Sequence, residues 1–198
     1  MADSLAPGAV QPLLSGRFGR DIYRYEEVTA STQRLLREDD PEGAVAVAEE
    51  QTEGRGRLGR TWQAPPGSSV LVSVLLRPKV AAPRLPELSL VAGGAVAEAI
   101  AQVTGVDPAI KFPNDVLLDG CKVAGILAES SDGRVALGVG VNVNQAHDEL
   151  PAHTQTEPTS LLIQTGNRVD RAALLVAILL RLEHAYDRWA PTGTSASG

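Results

Sequence analysis

The chain has 198 residues, 43% of them hydrophobic and 21% charged, with a formal net charge of −6. That composition belongs to a globular protein and excludes a disordered one, and the length fits one domain with a substantial core. Cys121 is the only cysteine, which excludes an internal disulfide, and the acidic balance with 4% aromatic content argues against a nucleic-acid binder. The N-terminus lacks the basic start and apolar block of a secretory signal, and the uncharged apolar run Leu174–Leu180 falls far short of the roughly 20 residues of a membrane span. A cytoplasmic enzyme or binding protein, with no membrane and no DNA partner, is the expectation.

Residues 1–20 mix Ala, Pro, Gly and Ser without a period and read as a flexible leader. Asp21–Val28 alternates apolar and polar side chains and predicts a first strand. Thr29, Ser31 and Thr32 supply N-cap hydroxyls for a short helix carrying Leu35 and Leu36, which Asp39-Asp40-Pro41 stops. Ala44–Ala48 predicts a second strand, and Val70–Leu76 a strand apolar on both faces. Between them lies QTEGRGRLGRTW, from Gln51 to Trp62, which interleaves Arg55, Arg57 and Arg60 with Gly54, Gly56 and Gly59. Leu88–Val103 repeats apolar residues at helical spacing, with Gly93-Gly94 permitting close packing. Asp119-Gly120 joins Val116–Leu118 to Val123–Leu127 as a hairpin, and Val135–Val143 predicts a further strand. Residues 144–167 give few periodic cues. Asp170 caps a helix whose Leu174, Ile178, Leu182, Tyr186 and Trp189 form one stripe, and residues 191–198 read as a tail. Strands outnumber helices and several neighbours are hairpin-joined, so the fold class is α/β (α+β): a mixed, mainly antiparallel sheet backed by helices, in one domain over residues 21–190.

Three polar motifs sit at strand mouths. Gly54, Gly56 and Gly59 spell G-x-G-x-x-G, but a dinucleotide-binding reading needs a helix at the third glycine, and Thr61 to Gly67 contains Pro65-Pro66 instead. An arginine-rich glycine loop in an acidic chain suits an anion, since glycine lets the main chain approach and arginine offers a planar fork to carboxylate or phosphate; the plainer alternative is an exposed turn without a ligand. Lys111-Phe112-Pro113-Asn114-Asp115 gathers an ammonium, an amide and a carboxylate around a proline, or forms a β-turn bonded to its own backbone. In Lys122–Glu129, strand alternation puts Lys122, Ala124, Ile126 and Ala128 on one face, which is costly for a lysine unless it meets an anion or reaches solvent at the hairpin edge. Cys121 has no histidine nearby in sequence, and His147, His153 and His184 show no metal-ligand spacing.

Together, GRGRLGR with Trp62, KFPNDV, and KVAGILAE with GVGVN resemble the biotin protein ligases over about Thr29 to Trp189. The resemblance implies a catalytic domain like that of class II aminoacyl-tRNA synthetases. It implies that biotin and MgATP give biotinyl-5′-AMP and pyrophosphate, and that a lysine of a biotin carboxyl carrier protein then takes the biotinyl group. It further implies that Ser31, Thr32, Gln51, Gly54, Arg55, Arg57, Trp62, Lys122, Gly125 and Ile126 line the biotin and biotinyl-AMP pocket. Lys122 and Arg57 would be catalytic, Lys111, Asn114, Asp115 and Asn142 would contact the nucleotide, and Asp115 would meet Mg²⁺ through ATP. Phe112 stands where tryptophan is usual, and Gln33 where asparagine is frequent. No winged helix-turn-helix fits ahead of residue 21 and no SH3-like domain follows Trp189, so no operator binding is expected and biotin binding is expected to survive better than ligation. A homodimer is left open, and a lipoyl or octanoyl ligase and a non-catalytic biotin or biotinyl-AMP binding module stand as alternatives.

Overall fold

Seven strands form one sheet in the order β1-β2-β3-β7-β6-β5-β4 in a computed structural model that describes residues 3–152 and 154–191. The strands are β1 (Tyr23–Thr29), β2 (Val45–Gln51), β3 (Ser69–Leu76), β4 (Ala109–Lys111), β5 (Asp115–Leu118), β6 (Cys121–Ser131) and β7 (Arg134–Asn142). β1 and β2 run parallel and the other neighbours antiparallel, with β5 and β6 joined by the hairpin expected at Asp119-Gly120. The expected mixed, mainly antiparallel sheet is therefore the observed one. His153 and all of the expected tail except Pro191 lie outside the described residues.

The sheet has two unlike faces, and β7 shows why. Val135, Leu137, Val139 and Val141 alternate with Ala136, Gly138, Gly140 and Asn142, so large apolar side chains go to one face and almost no side chain to the other. The apolar face is covered by α3 (Glu87–Thr104) and α5 (Arg171–Trp189), which pack on each other and on the sheet. The Asp170 carboxylate accepts from the backbone N–H groups of Ala172 and Ala173, the expected cap of α5, and the whole stripe from Leu174 to Trp189 is buried. Among the described residues, the helix that packs on the glycine-lined face is the short α2 (Thr32–Leu35).

Four expectations need correction. The first twenty residues are not a loose leader, since α1 (Pro7–Val10) and its flanks bury Leu5, Val10 and Phe18. Asp3 Oδ1 accepts from the backbone N and Nε of Arg171, and Glu183 Oε2 accepts from the backbone N–H of Arg17 and Phe18. The segment is built of turns, which carry apolar anchors without a period, so periodicity could not reveal it. The polar stretch 144–167 contains α4 (Leu161–Thr165), with Ser160 Oγ accepting from the Ile163 N–H and Gly166 at φ +71° as terminator. Ser31 occupies the N-cap position of α2 without a capping hydrogen bond. Finally, a Cβ added at Gly93 would meet Ile110 at 3.8 Å and one at Gly94 would meet it at 3.9 Å, ordinary contact distances, so packing does not demand glycine there.

Candidate active site

A cleft of about 500 Å³ opens on the glycine face, bounded by α2, the arginine loop, the end of β7 and the segment around Pro151–Pro158. Its floor is the cross-strand pair Gly125 and Gly140. The Trp62 indole lies directly on that pair: a Cβ at Gly140 would stand 2.6 Å from Trp62 Cε2, and one at Gly125 would stand 2.9 Å from Cζ3. Only glycine at both positions lets the ring settle. Trp62 Nε1 is buried there without a hydrogen-bond partner in the structure, a donor held ready for an acceptor.

The arginine loop is itself a small hairpin. Arg55 pairs with Thr61, Gly56 N donates to Arg60 O at 2.7 Å, Trp62 N donates to Gly54 O at 2.8 Å, and Leu58 at φ +60° turns the tip. Gly54 is required because any side chain would overlap the Trp62 carbonyl oxygen. The three arginines part company from there. Arg55 leans outward to Glu129 at 2.8 Å, Arg60 donates to Gln155 Oε1 at 3.3 Å, and Arg57 turns inward to donate to Asn114 Oδ1 at 3.3 Å.

The second and third motifs meet that inward arginine. The Phe112-Pro113 peptide is cis, and Asn114 Nδ2 donates to Ile126 O at 3.0 Å, so the amide bridges Arg57 to β6 and is not spent on a local turn. Lys122 Nζ stands 2.7 Å from Asp115 Oδ1, an ionic contact, although the ammonium is not angled to give that buried oxygen a proper hydrogen bond. Nζ also lies 5.6 Å from the Trp62 ring centroid, within cation–π range.

Strand alternation misplaced the third motif. The β5–β6 register slips between Val116 and Leu117, pairing Val116 with Ala124 but Leu117 with Lys122. The extra residue turns Lys122 onto the cleft face beside Gly125, whose added Cβ would lie 3.2 Å from Nζ, while Ala124 and Ile126 stay in the core. Ile126 borders the cleft, yet its Cδ1 packs toward Gly93 of α3. The Lys122 backbone is clamped by Glu157 O, which accepts from its N–H at 2.7 Å, and by the Thr159 N–H, which donates to its carbonyl at 2.8 Å.

Of the residues that the resemblance assigns to the site, all but Gly54 and Lys111 line this cleft. Lys111 instead donates outward to Thr156 Oγ1 at 2.8 Å. Asn142 is tied at both ends of its amide, donating to Thr159 O and accepting from Gln145 Nε2, so it shapes the rim from within. Thr32 and Gln51 sit hydrogen-bonded to each other, with Ser31 buried beside them. Gly138 and Gly140 belong to the GVGVN motif but carry no expected site role, and neither Ser73 nor the 151–158 segment is marked by any motif. The alternation of Gly138 and Gly140 with valine could have revealed the floor, whereas nothing in residues 151–158 signals a wall. Cys121, His147 and His184 do not line the cleft, and among the described residues no group of three or more His, Cys, Asp or Glu is placed to hold a metal ion.

The model of the biotin/lipoate A/B protein ligase family matches residues 25–145, which span the arginine loop, the Lys111–Asp115 motif and Lys122. The chain belongs to that family. Among this family member's relatives, the bifunctional ligase/repressor BirA of Bacillus spizizenii is 39% identical over 171 residues, 82% of the chain and 53% of the relative. A biotin–[acetyl-CoA-carboxylase] ligase of Mycobacterium tuberculosis is 42% identical over 154 residues, 76% of the chain and 56% of the relative. The chain thus spans about half the length of the curated relatives it matches. A structure of the biotin protein ligase of Aquifex aeolicus in complex with biotin and ATP superposes with a TM-score of 0.78 at 35% identity, covering 87% of this chain and 73% of that one.

Proposed function

We propose that this chain joins biotin to ATP, forming biotinyl-5′-AMP and pyrophosphate, and passes the biotinyl group to a lysine of a biotin carboxyl carrier protein. The single observation that carries the reading is the convergence of Arg57 and Lys122, from separate parts of the chain, on the adjacent residues Asn114 and Asp115 in one cleft. A carboxylate attacking an α-phosphate brings two anions together, and fixed cations are what that encounter needs. A relative named as a biotin–[acetyl-CoA-carboxylase] ligase and a related fold in complex with biotin and ATP support the choice of substrates.

In this reading, the bicyclic ring enters between Trp62 and the polar corner of Thr32 and Gln51, leaving its carboxylate near Lys122. A carboxylate oxygen bonds to the α-phosphorus as the bond to the pyrophosphate oxygen breaks. Lys122 exchanges its contact with Asp115 for the reacting oxygens, and Arg57 neutralises the charge that develops on the phosphoryl group. The carrier amine then attacks the acyl carbon, and AMP departs. Mg²⁺, arriving with ATP, would screen the phosphates; the buried Asp115 Oδ1, which takes no hydrogen bond, fits a single contact to such an ion and not a cage of protein ligands. The cytoplasm, where ATP and carrier occur together, is the matching compartment.

Competition of biotin, lipoate and octanoate in ATP–pyrophosphate exchange tests the substrate, and ATP-dependent labelling of a carrier domain tests the transfer. Biotin is expected to dominate the exchange. Exchange driven as well by octanoate would favour the lipoyl-type alternative, and biotin binding without any exchange would favour a binding module.

A further inference from the structure

β7 ends too early to hold Lys122. Its pairing with β6 begins at Ala124, opposite Val141, and Asn142, the last residue of β7, pairs with Ser69 of β3 instead. Cys121, Lys122 and Val123 therefore run past β7 on that edge, immediately after the Asp119-Gly120 turn. A strand end so close to a turn frays when one edge has no partner. Here the partner comes from elsewhere in the chain. Pro158 lies opposite Lys122 in a parallel bridge, with the Lys122 N–H donating to Glu157 O at 2.7 Å and the Thr159 N–H donating to Lys122 O at 2.8 Å. Proline suits the facing position, because both bonds go to its neighbours and its own missing N–H is not needed.

The bridging segment is itself tied down. Asn142 Nδ2 donates to Thr159 O at 3.0 Å, so the residue that ends β7 holds the segment that takes over from it. Thr159 is 3% exposed, its Oγ1 accepts from Gln164 Nε2 at 3.1 Å, and Ser160 Oγ donates to Gln145 O at 2.7 Å. Asn142 to Thr159 to Lys122 is thus one continuous path from the fixed sheet to the backbone of the lysine. The ammonium stands at the end of a flexible four-carbon stem, so a small tilt of the strand end is multiplied at Nζ. An error of about 1 Å at a reacting group can cost on the order of 10²-fold in rate.

We propose that residues 157–159 are a splint for Lys122, and that Asn142, acting through the Thr159 carbonyl, and the Thr159 N–H are the positioning groups that set where Nζ meets an acid in the cleft. The inference rests on the biotin reading, in which that acid is the carboxylate of biotin. It gives Asn142 a task its tied amide can perform, away from the nucleotide. A ligand without the acid gains nothing from the splint. Biotinol, which carries a hydroxymethyl group in place of the carboxyl, is therefore the discriminating probe.

Calorimetry of the full chain with biotin and with biotinol, together with ATP–pyrophosphate exchange and thermal melting, tests this on Thr159→Pro, Thr159→Ala and Asn142→Ala. Thr159→Pro deletes the N–H that donates to Lys122 and should bind biotin about tenfold more weakly, with biotinol within roughly twofold of wild type. Its kcat for exchange should fall while the KM for ATP holds. Thr159→Ala, which keeps the N–H, should keep the wild-type ratio of the two affinities. Asn142→Ala frees the Thr159 carbonyl and should narrow that ratio severalfold. If Thr159→Pro melts early, Asn142→Ala decides, since it keeps every backbone donor. An unchanged ratio in folded Thr159→Pro or in Asn142→Ala, including one accompanied by a raised KM for ATP, would overturn the splint while leaving the biotin reading standing. A wild type that binds biotinol as tightly as biotin would do the same. Wild type that binds neither would overturn both.

Discussion

Arg57 and Lys122 reach consecutive residues of the same turn, Arg57 Nη1 donating to Asn114 Oδ1 at 3.3 Å and Lys122 Nζ standing 2.7 Å from Asp115 Oδ1. The turn acts as a rest for both cations: with no anionic ligand in the cleft, each is held by a group it can leave. In the proposed reaction Asp115 would balance Lys122 in the free protein and release it to the substrate. Asp115→Asn should leave Lys122 without its counter-charge, tightening the hold on anionic ligands but slowing turnover, which a KM-against-kcat comparison would register as both constants falling.

The glycine floor gives a steric prediction. Gly140→Ala places a methyl 2.6 Å from the Trp62 ring, which must move because the strand beneath is fixed by β3 and β6 on either side. Overpacking of this kind costs about 1–3 kcal/mol. Trp62 emission should shift to the red and biotin binding should weaken about tenfold or more, read by fluorescence titration. Wild-type emission and affinity in the variant would mean that the ring does not rest on the floor.

A glycine-rich hairpin with Leu58 90% exposed at its tip is expected to open and close over a water-sensitive acyl-adenylate. Limited proteolysis should cut near Leu58 in the free protein, and biotin with ATP should suppress the cut severalfold. Equal cleavage with and without ligands would remove the lid role.

The N-terminal segment yields a stability test. Phe18 is 1% exposed and packs against Tyr186 with ring centroids 6.2 Å apart. Phe18→Ala should cost about 3–5 kcal/mol in denaturant unfolding, whereas a loosely held leader would show almost no change.

Asp40 gives a pH dependence. Its burial alone would raise the carboxyl, but hydrogen bonds from Arg24 and from the Arg37 N–H, with the charge of Arg24, outweigh it and hold the group below its ordinary value of 3.8. A group depressed in the folded state adds stability that is complete well above pH 3.8 and fades as the pH falls through the folded value. Asp40→Asn should thus be less stable at pH 7 by roughly 1.5–3 kcal/mol, with the gap to wild type closing below pH 3.8 in acid-unfolding curves.

How much could be read from the residues alone follows from what period and composition record. Val70–Leu76 and the helix after Asp170 declare themselves by apolar spacing and a cap, and three motifs rich in Arg, Lys, Asn and Asp mark the cleft because such groups gather where charge is handled. Lys122 was found by its chemistry but put on the core face, since a one-residue bulge reverses alternation and leaves no mark in composition. Ser73 looks like one more strand residue, because what ties it to the cleft is a hydroxyl contact with Thr32, 41 positions away. Leu5 and Phe18 were overlooked because anchors on turns share no period.

The most direct measurement is biotin-dependent ATP–pyrophosphate exchange by wild type, Arg57→Ala and Lys122→Ala. The account predicts robust exchange by wild type and a loss of about 10²–10³-fold in each variant, with melting temperatures near that of wild type. Exchange by Lys122→Ala at the wild-type rate would contradict it.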